Sequence, residues 1–418
     1  MSLLPVDEAL ARVLASIERP VESERVPIAA AAGRTLAEDL SATRDQPPFA
    51  ASAMDGYAVR SEDVAAVPST LRIAGASVAG RGYSGSLAPG EAVRIFTGAP
   101  MPAGANAVAI QENTEAEDGT VVVRVAPRPH QYIRPARFDF GAGDPLLTAG
   151  QRLDAKRLAL AAAMGHAILP VRRRPRVAIL ATGDELVRPG EEPGPDQIVA
   201  SNSYAIGAMV EKAGGEALDL GIALDTVEAL EDRILAAERA RADVLVTLGG
   251  ASVGAYDLVR STLARRGMEL GFWRVAVRPG KPLMHGRLGS MLLLGLPGNP
   301  VASVVCGILF LVPAIRALVH DPTAGADPTE TGVLGTDLPA NDERQDYLRA
   351  TLGALEVIAA TAAGQQRLLV PAASAHARQD SSMLGVLERS EALIVRPPRA
   401  PPAKAGEACR IIRLERFC

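Results

Sequence analysis

The stretch DVLVTLGGASVGAYD (residues 243–257) decides the fold. Asp243 to Leu248 form an apolar run bounded by turn signals, which reads as a buried strand. Glycines follow it, and Asp257 begins a helical pattern that runs to Arg266 and stops at Gly267. Arg176 to Ala181 (RVAILA) repeats the pattern, ending in Thr182-Gly183-Asp184-Glu185. A helix is expected from about Ser203 to Ala213, closed by Gly214-Gly215. Asp225-x-x-Glu228 resembles a capping box, with Asp in place of Ser or Thr, opening a helix to about Arg239. Phe272 to Val277 and Met291 to Leu296 read as further strands, and an apolar helix follows Pro300. Alternating strands and helices predict a mainly parallel, doubly wound α/β sheet.

Outward from this segment the texture changes. Val6, Leu10, Val13, Leu14 and Ile17 share one face of an amphipathic helix. From Ser41 short apolar runs alternate with Gly and Pro, among them Leu71 to Ala74, Ala92 to Phe96 and Val121 to Val125. They predict a small β-rich region over roughly residues 45–145. Residues 154–164 look helical, with Gly165 as terminator. Residues 321–345, rich in Pro and Gly, form a linker or the entry to another domain. Tyr347 to Leu352, Arg367 to Pro371, Ala392 to Val395 and Cys409 to Leu414 predict a small β domain.

Composition narrows the partners. A chain of 418 residues exceeds one hydrophobic core, and 48% hydrophobic content argues against global disorder. The net charge of −4 is no basic nucleic-acid footprint, and 3% aromatics argues against a base-stacking surface. Three scattered cysteines, Cys306, Cys409 and Cys418, offer no zinc spacing and no disulfide framework. The start of the chain shows no basic and apolar secretory pattern. The longest uncharged apolar run, Val301 to Ile315, is short for a membrane span and contains Pro313, so it reads as a buried helix. These features predict a cytoplasmic protein with neither a membrane nor a nucleic-acid partner.

The loops carry the chemistry. Thr182 to Glu185, Gly249 to Asp257 and Pro297 to Pro300 each follow a strand, and Arg278 to Pro282 follows another candidate. Ligands of open α/β sheets bind beyond the carboxyl ends of strands, so four such loops predict one shared cleft. Gly249, Gly250 and Gly254 allow backbone N–H groups close to an anion, and Ser252 adds a hydroxyl. Arg278 and Lys281 can neutralise an oxyanion. Glu185 and Asp257 suit Mg²⁺ beside a phosphate. Pro297 and Pro300 stiffen a loop in which Gly298 and Asn299 offer N–H and amide donors. Singly, each motif has a structural reading: a Gly-Gly turn, Asp257 as helix N-cap, Pro300 at the first helical position. Their joint placement after strands favours the cleft. In the N-terminal half, Asp55 lies in a turn-prone segment, Thr97 follows a strand, and Arg134 and Asp139 share a polar loop. By itself Asp55 reads as an Asx-turn former.

Together the motifs resemble the molybdopterin molybdenumtransferase family, which includes one domain of gephyrin. The matching stretches are SAMDGYAVR (52–60), IFTGAPMPAGANAV (95–108), ATGDEL (181–186), LGGASVGAYD (248–257), FWRVAVRPGKP (272–282) and LGLPGNPVAS (294–303), with QDSSML (379–384) and ALIVRP (392–397) beyond them. The resemblance implies an elongated domain of residues 1–44 and 146–170, an inserted β-rich domain (45–145), a molybdopterin-binding α/β domain (171–325) and a C-terminal β-barrel (326–418). It implies a homodimer whose cleft is completed by the partner subunit. Adenylylated molybdopterin and molybdate are the implied substrates, with Mg²⁺-dependent hydrolysis of the adenylate and release of AMP. It also implies transient contact with molybdopterin adenylyltransferase or apo-molybdoenzymes. Carried over by motif, Asp55, Thr97, Asp139, Glu185, Asp225 and Asp257 are catalytic positions. Glu185, Asp225 and Asp257 are also metal positions. Arg274, Arg278 and Lys281 are basic positions, and Pro297 and Pro300 frame the loop near molybdate.

Some residues depart from that pattern. Arg137-Phe138-Asp139-Phe140 stands where many relatives have Gly-Glu-Asp, and Ala200-Ser201-Asn202 replaces a common Asp-Ser-Asn. Leu248 replaces a usual Ser, and Ala251 a Val. They mark a divergent subgroup. Two other readings compete. An adenylyltransferase acting one step earlier would need only the α/β segment, and this chain is far longer. A non-catalytic scaffold would not need the acids, and Asp55, Asp139, Glu185, Asp225 and Asp257 are all present.

Overall fold

The computed structural model describes residues 3–249, 255–361 and 364–418, with the backbone alone for 255–257, 356–361 and 364–368. Its centre is a six-stranded sheet in the order Glu216–Ala223, Arg176–Thr182, Val244–Leu248, Met291–Leu296, Met284–Leu288, Glu269–Trp273. The first four strands are parallel, and the last two add an antiparallel edge. Every residue of Val244–Leu248 and Met291–Leu296 is buried, which is why these strands read as unbroken apolar runs.

Alternate residues feed two cores. Val177, Ile179, Val244, Val246 and Leu294 pack against the helices Val6–Ala15 and Asn202–Ala213 and the long helical segment that starts at Pro300. Ala178, Leu180, Leu245 and Leu293 pack against Val227–Arg239 and Ala255–Arg265. The sheet is doubly wound. Chain order reverses between the neighbouring strands Arg176–Thr182 and Val244–Leu248. A crevice opens at such a switch point.

Helix ends follow sequence signals with two exceptions. Gly214 closes its helix at φ +96°, and Pro300 takes the first turn of the next. The expected cap at Asp225 falls one residue on: Thr226 is the N-cap, and its hydroxyl accepts from the Ala229 N–H at 3.2 Å. Asp257 is not an N-cap either, because the helix already begins at Ala255. The helix from Pro300 to Leu318 contains a π-helical turn at Gly307–Leu311. It is long and apolar enough to cross a membrane, yet 83% of it is buried inside the protein. It serves as the core helix of the sheet.

The expected strand from Phe272 to Val277 splits. Glu269–Trp273 closes the central sheet, Arg274 turns the chain at φ +93°, and Val277–Arg278 pairs with Gln345–Asp346 of a second sheet. Within that sheet Gln345–Thr361, Gly364–Ala375, Glu330–Leu334, Ala408–Arg413 and Ala392–Arg396 close on themselves as a five-stranded barrel. Two of these strands run far beyond the expected Tyr347–Leu352 and Arg367–Pro371.

Residues before the central sheet build further cores. Leu36, Leu40, Leu147, Leu153, Met164 and Leu169 form one, where Ser23–Pro27 pairs with Ile168–Arg172. Others belong to a six-stranded sheet that includes Gly56–Val59, Ser69–Ser77 and Glu91–Ile95. The three cysteines are unpaired.

Replacing the N-cap hydroxyl tests the helix start. Thr226→Ala is expected to lower stability by about 1 kcal/mol in urea denaturation. An unchanged midpoint would remove Thr226 as the cap.

Candidate functional site

The loops beyond the parallel strands enclose a cavity of about 1000 Å³. Thr182, Gly183 and Glu185 line it from one strand, Gly249 from the next, and Pro297 to Pro300 from a third. The loops approach closely. A Cβ on Gly249 would lie 2.6 Å from the Thr182 carbonyl, and its φ of +99° also favours glycine. The Pro297–Pro300 turn is fixed from several sides. Asn202 donates to the Gly298 carbonyl at 2.6 Å, the Ser303 hydroxyl donates to the Pro297 carbonyl, and Asn299 donates to the Ser381 hydroxyl at 2.8 Å. The long apolar helix starts here, so its positive end points at the cavity.

Opposite charges meet across this space. Asp225, beside Glu185 in the lining, has one buried carboxylate oxygen without a hydrogen-bond partner among the described residues. Its backbone N–H donates to Asp184 at 3.0 Å. Burial first, then the charges of Asp184 and Glu185, push the Asp225 carboxyl above its ordinary value. Lys281, Arg278 and Arg344 also line the cavity. Among the described residues, the Lys281 ammonium has no hydrogen bond or ion pair, so its charge is free for a ligand. Arg278 is already engaged: its guanidinium donates to Asp346 at 2.6 Å, to Asp342 at 2.9 Å and to Asn341 at 3.0 Å. The Asp346 bond raises the Arg278 pKa, while burial pushes Asp346 up and Arg278 opposes that rise. Arg278 is thus a strut from the cleft to the barrel. Arg344 donates to Asp342 at 2.8 Å and leaves its buried Nε unpartnered.

The structure keeps other expected residues away from this lining. Arg274 stacks over Trp273 at 4.3 Å. Asp55 and Thr97 do meet each other: the Thr97 N–H and hydroxyl both donate to one Asp55 oxygen, at 2.7 and 2.8 Å. Those bonds, the backbone one foremost, hold the Asp55 carboxyl below its usual value. Asp139 is exposed on a loop tied to Gln46 by its N–H at 2.9 Å. Phe49, Met54, Phe96 and Phe138 are exposed on this same N-terminal part. Gly250, Ser252 and Gly254 lie outside the described residues, as does the Asp257 side chain.

Comparison with known proteins now bears on this geometry. Residues 4–165 match the profile described as the MoeA N-terminal region (domain I and II), and residues 178–317 match a probable molybdopterin binding domain. A molybdopterin molybdenumtransferase of Nostoc sp. is 40% identical over 339 residues, 79% of this chain and 77% of the relative. The chain belongs to the molybdopterin molybdenumtransferase family. A second member, from Haemophilus influenzae, is 38% identical over 83% of this chain and 85% of its own. The family fold is seen in a solved molybdopterin biosynthesis MoeA protein from Pyrococcus horikoshii OT3. It superposes with a TM-score of 0.80 at 27% identity, covering 98% of this chain and 99% of that one.

Whether a family member of this sequence suits Mg²⁺ depends on its donors. Among the described residues, no three His, Cys, Asp or Glu side chains converge on a metal position. Glu185 and Asp225 nonetheless fit. Both are hard oxygen donors, and Asp225 has a buried oxygen with no hydrogen-bond partner among the described residues. Mg²⁺ commonly takes one or two carboxylates and fills its other positions with substrate oxygens and water.

The barrel contributes residues that chemical reading of the sequence missed. Arg344, Gln379, Asp380, Ser381 and Ser382 all line the cavity. They follow no strand of the central sheet. The available signal was the Asp380-x-Ser382 turn, in which Asp380 accepts from the Ser382 N–H at 2.9 Å and hydroxyl at 2.6 Å.

The raised pKa of Asp225 fixes the sign of its effect on stability. A folded carboxyl that protonates more readily than the unfolded one favours the fold when neutral and opposes it when ionised. Its destabilising effect therefore grows as pH rises from the unfolded value through the folded one. Asp225→Asn is expected to raise the thermal midpoint at pH 7 without divalent cations, and the gain should shrink in acid. A lower midpoint at pH 7 would contradict the burial and repulsion just described.

Proposed function

We propose that this protein inserts molybdenum from molybdate into adenylylated molybdopterin, with hydrolysis of the adenylate and release of AMP. One observation carries the reading. In a chain of this family, one roomy cleft is lined by Glu185, by Asp225 with an oxygen unpartnered among the described residues, and by Lys281, likewise unpaired among them. Two anionic substrates can share a site only where cations and N–H donors offset their repulsion.

The chain's own residues divide the work. Lys281 and Arg344 bind oxyanion charge. The Pro297–Pro300 turn and the helix it starts present a rigid, positively polarised wall. Gly249 permits close approach of a phosphate to the backbone, a role the resemblance extends to Gly250, Ser252 and Gly254. Glu185 and Asp225, with Asp257, would hold Mg²⁺, whose charge stabilises that developing on a breaking phosphoanhydride. A carboxylate of this group orients or deprotonates the attacking water.

We read Asp55, Thr97 and Asp139 as belonging to the cleft of a second copy. They lie outside the cavity lining of their own chain, and exposed Phe49 and Phe138 beside them supply apolar contact area. A homodimer would then complete each site, with Arg274 a supporting position. We divide the chain into four parts, residues 1–44 with 146–170, 45–145, 171–325 and 326–418; separate cores support the first, second and fourth, while Val6, Val13, Tyr347 and Phe417 join the core of the third. Free thiols support a cytoplasmic setting, in which molybdopterin adenylyltransferase and apo-molybdoenzymes would be transient partners.

The test is AMP release from adenylylated molybdopterin with Mg²⁺, with and without molybdate. Molybdate-dependent release is expected from wild type, reduced about tenfold or more in Asp55→Ala. A folded wild type that binds the adenylate and releases nothing would move the reading to a binding or scaffold role. ATP consumption without molybdate would move it to the adenylyltransferase.

A further inference from the structure

Arg349 is the largest fully buried side chain among the described residues, with 1% of its surface exposed. It sits on the barrel strand Gln345–Thr361, outside the cavity lining. Such a cation is costly to bury, and among the described residues no carboxylate hydrogen-bonds to it. Among the described residues, all its acceptors are neutral. The guanidinium donates to the Gln379 side-chain oxygen at 3.3 Å, the Met383 carbonyl at 3.2 Å and the Arg378 carbonyl at 3.5 Å. Gln379 returns the contact: its amide donates to the Arg349 and His376 carbonyls, both at 2.9 Å, while its oxygen accepts from the Arg349 backbone N–H at 3.0 Å. Burial pulls the Arg349 pKa down, and the charge of Asp380 works against that.

These bonds grip both ends of one loop. Residues Arg378 and Met383 bracket Gln379 to Ser382, which line the cleft. The middle of the loop continues the chain of contacts. The Ser381 carbonyl accepts from the Val301 N–H at 3.0 Å, satisfying a donor at the start of the core helix, and the Ser381 hydroxyl accepts from Asn299. A planar fork can span two carbonyls in fixed relative positions, and a flexible ammonium cannot.

We propose that Arg349 is a positioning residue. It holds the 378–383 loop against the Pro297–Pro300 turn and thereby sets the cleft's affinity for the tetrahedral oxyanion, which it never touches. The proposal rests on reading the cleft as a molybdate site. A purely structural cation would be dispensable, since an apolar side chain of similar size fills such a site without the desolvation cost.

Full-length wild type and Arg349→Met are compared in two ways. Hydrogen–deuterium exchange, without substrate, is expected to quicken at least about tenfold over residues 378–383, with the central sheet unchanged. In the AMP-release assay, KM for molybdate is expected to rise about tenfold or more while kcat stays within about twofold. Unchanged exchange in a folded variant overturns the positioning role, whatever the activity of wild type. So does a fall in kcat that tracks a lowered thermal midpoint at constant KM. An inactive wild type sinks the assigned reaction alone, because exchange still judges the loop. If Arg349→Met does not fold, Arg349→Lys keeps the charge, loses the fork and carries the same comparison.

Discussion

A strand buried on both faces has no surface left for chemistry. Val244–Leu248 and Met291–Leu296 are wholly covered, so the polar groups of the central sheet gather beyond its strand ends. The reversal of strand order beside Val244–Leu248 separates the loops there and leaves a crevice. The cleft is therefore a consequence of how the core is covered, and its position follows from topology before any side chain is considered.

The residues around that crevice differ in how committed they are. Arg278 spends its donors on Asp346, Asp342 and Asn341, whereas Lys281 spends none among the described residues. Asp225 is the acidic counterpart of Lys281, with an oxygen buried and unbound. A ligand meets groups whose own interactions are incomplete, and binding completes them. Asp55 is different. Thr97 already satisfies one of its oxygens twice, so its charge is fixed in place rather than strained.

The sheet was legible because its strands are long apolar runs and its helix ends carry Gly214 and Pro300. The cleft loops were legible for the same reason, since each follows such a run. Errors arose where tertiary contacts outweighed local pattern. Nothing near Phe272–Val277 announces that Arg274 turns the chain into another sheet. Asp225 and Thr226 are both good caps, and the choice fell to the residue whose hydroxyl reaches Ala229. Arg278 lines the cleft as expected, and its second task as a tie to the barrel was hidden because its partners lie 64 to 68 positions later. The barrel's contribution to the cleft, through Arg344 and Gln379 to Ser382, depends on a long-range docking that no periodicity encodes.

The turn at Arg274 leaves a ten-residue segment, Glu269 to Arg278, with one end woven into each of two sheets. Lys281 lies just beyond that seam. A cut at this seam would cross a segment that both sheets share. A barrel removed by recombination would take away the pairing strand of Val277 and the acids around Arg278 together. The α/β unit would be left with a frayed edge beside its own ligand loop.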